Sequence, residues 1–135
     1  HGHSYTANPT ACAAACASLE LLESADCLEK IESIGLWHSE FRKALKRSAY
    51  KSLKEVRQTG TILALEFLSQ DASGYFNNLR DYLAQFSLKH NVLMRPLGNV
   101  LYLIPPYCVE KKDLEKAYHV LEACLESLAG SGYKV

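Results

Sequence analysis

No stretch of this chain comes near the roughly 20 consecutive apolar residues that a membrane-spanning helix needs. No basic-then-apolar leader opens it either, so a membrane is not expected as a partner. Charge of one sign is also missing: fifteen Lys and Arg balance fifteen Asp and Glu. A neutral chain has no long-range field to gather nucleic acid, and none is expected. The single methionine is Met94 rather than an initiator. The chain opens instead in a polar loop, His1-Gly2-His3-Ser4-Tyr5, as a piece cut from a longer protein would. Internal repeats and low-complexity linkers are absent.

Cysteine is present but without a framework. The five cysteines are an odd number at irregular spacing, which argues against a disulfide scaffold and makes a reducing cytoplasm the expected location. Cys12 and Cys16 are four apart and would share a helix face. No second Cys or His pair follows at the spacing a site of about four zinc ligands requires. They are therefore expected to be small buried residues, and no metal is expected. His1 and His3 alone are too few ligands to change that.

What is there is an ordinary globular mixture. The 135 residues are 48% hydrophobic and 22% charged, enough for one domain with a single core. Arg42, Lys43, Lys46, Arg47, Lys51 and Lys54 form a basic cluster among acidic neighbours, expected as a solvated helix face.

Asn8-Pro9 predicts a helix start, because Asn caps free amides and Pro suits a first turn whose N–H has no partner. The helix should run through the Ala- and Cys-rich segment 10–22. Asp26 and Glu29, at capping-box spacing, predict a second helix. Ile31, Ile34, Phe41 and Leu45 would form its apolar face, with Trp37 nearby, and it should fade around Ser48 to Tyr50. Residues 56–68 read as extended chain with Gly60 marking a kink or bulge. A third helix is expected from about Tyr75 to His90, ended by Asn91 in a left-handed conformation. Val92 to Arg95 predicts a short strand, Pro96 to Asn99 a turn, and Val100 to Ile104 another strand. A last helix carries Leu114, Tyr118, Leu121, Leu125 and Leu128 at helical spacing. The fold class expected is α+β: a small antiparallel sheet of three to four strands with helices packed on one face.

Two segments invite chemistry. Gly2 to Pro9 is a hydroxyl-bearing loop entering a helix N-terminus, where free amides and the helix dipole favour an anion such as phosphate. An ordinary capped helix would look the same. In Asn91 to Gly98, Arg95 ends an apolar run just before a Pro-Leu-Gly turn. A guanidinium fork matches the two oxygens of a carboxylate; a surface Arg paired with a nearby Asp or Glu is the plain alternative.

Both segments resemble one family. His1 to Ala15 is similar to the class III pyridoxal-phosphate-dependent aminotransferase stretch that follows the catalytic lysine, where a Gly-x-Thr-aromatic loop leads through Asn-Pro into an Ala-rich helix. Val56-Arg57-Gln58-Thr59-Gly60 resembles the family's Val-Arg-x-x-Gly strand. Arg95-Pro96-Leu97-Gly98, with Tyr102-Leu103-Ile104-Pro105-Pro106-Tyr107, is similar to the branch that makes diaminopelargonic acid for biotin synthesis.

The resemblance implies a C-terminal small domain over residues 1–135, with 1–23 as phosphate-contacting loop and connecting helix, and the large cofactor-binding domain absent. It implies pyridoxal 5'-phosphate as cofactor and a homodimer with active sites between subunits. His3 and Ser4 would contact the cofactor phosphate, Gly2 would line the substrate pocket, and Arg95 would grip the carboxylate of 8-amino-7-oxononanoate. S-adenosylmethionine would be the amino donor. Family members more often carry Thr at the Ser4 position and Pro at the His3 position, which leaves His3 a backbone contact. The family's Schiff-base lysine lies upstream of the loop, and no lysine here occupies that place. The chain alone is therefore expected to bind the cofactor poorly and to turn over nothing. Two other readings stay open: an ω-aminotransferase of the ornithine or 4-aminobutyrate type, and a non-catalytic α+β binding module.

Overall fold

A computed structural model describes residues 2–3, 6–45, 50–68 and 78–130. The elements run α1 (Pro9–Glu23), α2 (Ala25–Ala44), β1 (Leu53–Thr59), β2 (Ile62–Phe67), α3 (Asn78–Lys89), β3 (Val100–Leu103) and α4 (Lys111–Gly130). The strands form one antiparallel sheet in the order β1-β2-β3. This is the α+β architecture that the element order predicts, with three strands among the described residues.

The Asn8-Pro9 start is as expected. Asn8 Oδ1 accepts from the Ala11 N–H at 3.1 Å and Pro9 occupies the first turn. The start of α2 is not. Ser24, not Asp26 with Glu29, caps it: the Ser24 hydroxyl accepts from Cys27 N–H at 3.3 Å and donates to the Leu21 carbonyl at 2.7 Å. One residue thus closes α1 and opens α2, while Asp26 is in the first turn and pairs with Lys30 at 2.6 Å. The expected fading around residues 48–50 falls mostly outside the described residues, but α2 itself ends at Ala44.

The two cysteines of α1 also differ from expectation. Cys12 and Cys16 are exposed, and no residue of α1 is buried. Small residues permit close packing but do not cause it, and α1 lies against α2 alone among the elements it meets substantially. Leu21, at 71% exposure, shows how much of this helix faces outward.

Gly60 marks a hairpin rather than a kink. Thr59 and Ile62 are paired, so Gly60 and Thr61 make a two-residue turn, and Gly60 takes φ +54°, which costs glycine little. The strands alternate from there. Leu63, Leu65 and Phe67 of β2 and Leu101 and Leu103 of β3 are buried on one face, joined to Ile34, Phe41, Leu83, Leu121, Leu125 and their neighbours in a single core. The opposite face carries Lys54, Glu55, Arg57 and Glu66, the solvated side of a one-sided sheet. Of the basic cluster, Arg42, Lys43, Lys51 and Lys54 are exposed, while Lys46 and Arg47 lie outside the described residues.

A polar clamp sits inside that core. His38 is fully buried. Its Nε2 lies 3.0 Å from the Thr61 carbonyl, which can only accept, so Nε2 carries the proton and Nδ1 accepts from the Tyr118 hydroxyl at 2.7 Å. Gln58 adds a second tie, donating from Nε2 to the Gly35 carbonyl at 2.7 Å. Tyr118 is stacked on Phe41 at 4.2 Å. The hairpin turn, α2 and α4 are thereby fixed to one another. Burial pushes the Tyr118 phenol above its ordinary range and the Cys124 thiol up to about 12.

Burial also lowers the pKa of His38 from its ordinary 6.5. The unfolded chain then binds a proton that the folded chain refuses. The stability this contributes is present above about pH 6.5 and is lost as pH falls through the lowered folded value. Urea unfolding from about pH 8 to about pH 5 should show that decline, and His38→Gln should flatten it; equal slopes for both proteins would contradict the assignment.

Candidate functional site

Arg95 is held by a short platform. Leu97 and Val100 exchange two backbone hydrogen bonds, at 2.8 and 3.0 Å, across a turn in which Gly98 takes φ +59°. Asn99 then docks that turn on the end of β2: Phe67 N–H donates to the Asn99 carbonyl at 2.9 Å, and Asn99 Nδ2 donates to the Phe67 carbonyl at 2.6 Å. On the other side, Val92 N–H donates to the Ser87 carbonyl at 3.1 Å after Asn91, which takes the expected left-handed φ of 60°. Residues 92–96 are thus tied at both ends.

They do not form the strand that the sequence predicts. Pro96 has no N–H to donate to a ladder and holds φ near −65°, far from the roughly −140° of antiparallel strand, and the pairing with β3 goes no further than the Leu97–Val100 bridge. Met94 and Pro96 are buried and Arg95 between them is exposed. The splay leaves a groove on each side of the segment, of 460 and 310 Å³, which share Leu93, Met94, Arg95 and Tyr102 as walls. The larger faces α3 through Arg80, Asp81 and Ala84. The smaller runs toward Ile104, Pro105, Pro106 and α4 and is mostly apolar. Tyr107, the last residue of the proline motif, lines neither and is exposed.

Among the described residues Arg95 makes no hydrogen bond or ion pair. Arg57, by contrast, pairs with Glu66 at 2.8 Å and Glu55 at 3.2 Å. Lys54, 2.7 Å from Glu66, holds that carboxyl below its usual range, Arg57 assisting. The internal partner that would make Arg95 an ordinary surface residue is not found among the described residues.

In the opening loop, His3 and Thr6 are tied to each other. His3 N–H donates to Thr6 Oγ1 and Thr6 N–H to the His3 carbonyl, both at 2.9 Å, and Ala7 takes φ +56° before the Asn8 cap. The His3 backbone N–H, expected to be available to a phosphate, is therefore engaged within the loop, and the residue itself is exposed. A side chain built on Gly2 would meet nothing within 4 Å. Ser4 lies outside the described residues. Asn8 takes the Ala11 and Cys12 amides and Pro9 has none, which leaves Thr10 as the first-turn donor open to a guest. Open space at Gly2 and a helix start with the Thr10 N–H unused fit an anionic group such as a cofactor phosphate. Neither Gly2 nor His3 lines the Arg95 grooves, so this chain carries the two sets of residues at separate places.

The pattern of the class III aminotransferases ("Aminotransferase class-III") matches residues 1–125. The chain belongs to the class III aminotransferase family. It is 38% identical over 128 residues to the adenosylmethionine-8-amino-7-oxononanoate aminotransferase of Synechococcus elongatus, covering 95% of this chain and 29% of that protein. With the enzyme of the same name from Helicobacter pylori it shares 34% identity, over 95% of this chain and 29% of the relative. A solved structure of the Methanocaldococcus jannaschii adenosylmethionine-8-amino-7-oxononanoate aminotransferase superposes with a TM-score of 0.80 at 26% identity, over 94% of this chain and 30% of that one. The chain thus spans under a third of the length of these relatives.

The turn beside Arg95 is docked on β2 by Asn99. Asn99→Ala removes a donor from the buried residue Phe67 and should lower unfolding stability by about 1–3 kcal/mol. Thermal unfolding that leaves wild type and variant together would show that the platform is held elsewhere.

Proposed function

We propose that this chain is the small-domain part of an aminotransferase that converts 8-amino-7-oxononanoate to 7,8-diaminononanoate in biotin synthesis, with S-adenosylmethionine as amino donor. The observation that carries the reading is Arg95: an exposed guanidinium, unpaired among the described residues, at the head of a groove whose walls are largely apolar. An acid with a long alkyl chain has that same division, one charged end and a body that gains by leaving water. The names of the relatives point the same way.

In this reading His3 and Ser4 contact the phosphate of pyridoxal 5'-phosphate, with Thr10 N–H at the helix start beside them. Gly2 keeps space open for substrate. Because the opening turn and the Arg95 grooves stand apart in this chain, the loop serves a second copy in a homodimer. The cofactor, when bound, supplies the electron sink for the amino transfer; this chain binds and orients. Arg95 grips the carboxylate, and the groove along Tyr102, Ile104, Pro105 and Pro106 keeps the alkyl body out of water. The protein acts in the cytoplasm, and residues 1–135 alone are inactive.

Arg95→Ala in the whole protein that carries this chain should raise KM for 8-amino-7-oxononanoate about tenfold or more, the worth of a charge-assisted hydrogen bond, with cofactor content unchanged. An unchanged KM would remove the role given to Arg95. Preference for ornithine or 4-aminobutyrate over the oxononanoate would replace this substrate by the ω-amino acid alternative. Ser4→Ala should lose pyridoxal phosphate faster on dialysis; equal retention would count against the phosphate contact.

A further inference from the structure

The smaller groove beside Arg95 takes part of its wall from α4, through Leu114 and Ala117, both buried. Residues three and four apart share a helix face, so Leu114, Ala117 and Tyr118 lie side by side on α4. Tyr118 is the polar member of that face. Its hydroxyl donates to Nδ1 of the fully buried His38 at 2.7 Å, and its ring stacks on Phe41. His38 Nε2 in turn donates to the Thr61 carbonyl at 3.0 Å. One wall of the groove is thus joined, within a single helix turn, to a buried polar contact with α2. Further along, α4 is tied to α3, where the hydroxyls of Tyr82 and Ser127 are 2.8 Å apart.

We propose that His38 and Tyr118 are positioning residues for the alkyl part of the acid: their hydrogen bond fixes where α4 presents Leu114 and Ala117 to the groove. Neither residue lines the groove itself. An apolar contact between α2 and α4 would tolerate sliding, whereas a hydrogen bond holds to one distance and direction. Removing the Tyr118 hydroxyl leaves Nδ1 unpaired in a fully buried site, and such an atom is satisfied only if the helices part or repack. In a close-packed interior that adjustment reaches the next residue along the chain, Ala117. The proposal rests on the role given above to Arg95 and its groove. Chain length separates the two: a short acid needs only Arg95, while a long one also needs the wall.

The test is equilibrium binding of nonanoate and pentanoate to the whole, cofactor-loaded protein that carries this chain. Tyr118→Phe should weaken nonanoate about fourfold, the worth of one methylene kept from water, and leave pentanoate unmoved. His38→Asn keeps an acceptor one bond beyond Cγ, where Nδ1 stands, and should bind both acids as wild type does. His38→Gln keeps only the donor toward Thr61 and should behave like Tyr118→Phe. A merely structural tie would neither prefer Asn to Gln nor distinguish the two acids. If Arg95→Ala weakens both acids while Tyr118→Phe changes neither, or weakens both alike, the positioning role is wrong and Arg95 keeps its own. His38→Asn binding nonanoate as poorly as His38→Gln would overturn the role too. If wild type takes up neither acid, or Arg95→Ala weakens neither, the acid-binding reading fails and this one with it. Should the His38 variants not fold, Tyr118→Phe decides alone by the same comparison of long and short acid.

Discussion

Phe67 sits at the end of the central strand, and both of its backbone polar groups bond to Asn99. Phe67 is buried, so each of these bonds replaces one that water cannot supply, and losing either would cost more than an exposed bond is worth. That requirement pins the 97–100 turn to the sheet. Once the turn is pinned, Pro96 has one direction in which to leave it, and Met94 has one pocket to fill. Arg95, between two buried neighbours, is left with its side chain outward. The position of the guanidinium follows from hydrogen-bond satisfaction two to four residues away, not from any contact of its own.

The parts of this arrangement legible in the sequence are those with local causes. Asn8-Pro9 and Asn91 mark a helix start and a helix end through their own side chains and φ preferences, and both behave so. Ser24 has no advantage over Asp26 with Glu29 in the sequence, because either satisfies capping rules; only the accepted bond from Cys27 decides between them. Gly60 reads equally as a kink or a turn until β1 and β2 are known to pair. Val92 to Arg95 has the composition of a strand, yet strand is a property of partners, and next to Pro96, which has no N–H to donate, this segment finds none. The burial of His38 had no local signal at all: a histidine among Trp37, Ser39 and Glu40 looks like surface, and the Tyr118 hydroxyl that satisfies it is 80 positions away. Cys12 and Cys16 failed in the other direction, since a small side chain is compatible with burial without producing it. Arg95 was legible as a fork before a turn, whereas the absence of an internal partner among the described residues required the structure.

Charge is distributed unevenly over the two sides of the sheet region. On the outer face, Glu66 is contacted by both Lys54 and Arg57, and Glu55 adds a further anion to Arg57, so the cations there are answered within the protein. Around the 92–96 segment Arg95 differs: it is exposed and makes no hydrogen bond or ion pair among the described residues. An exposed cation costs little to leave unpaired, because water solvates it. It becomes expensive once a ligand or another surface covers it, and then only an anion in the covering body offsets the loss of hydration. A groove of this kind therefore discriminates by penalty as well as by attraction. A neutral guest that covered Arg95 would strand the charge, while an acid would satisfy it, and this difference is what a site for a small carboxylate needs.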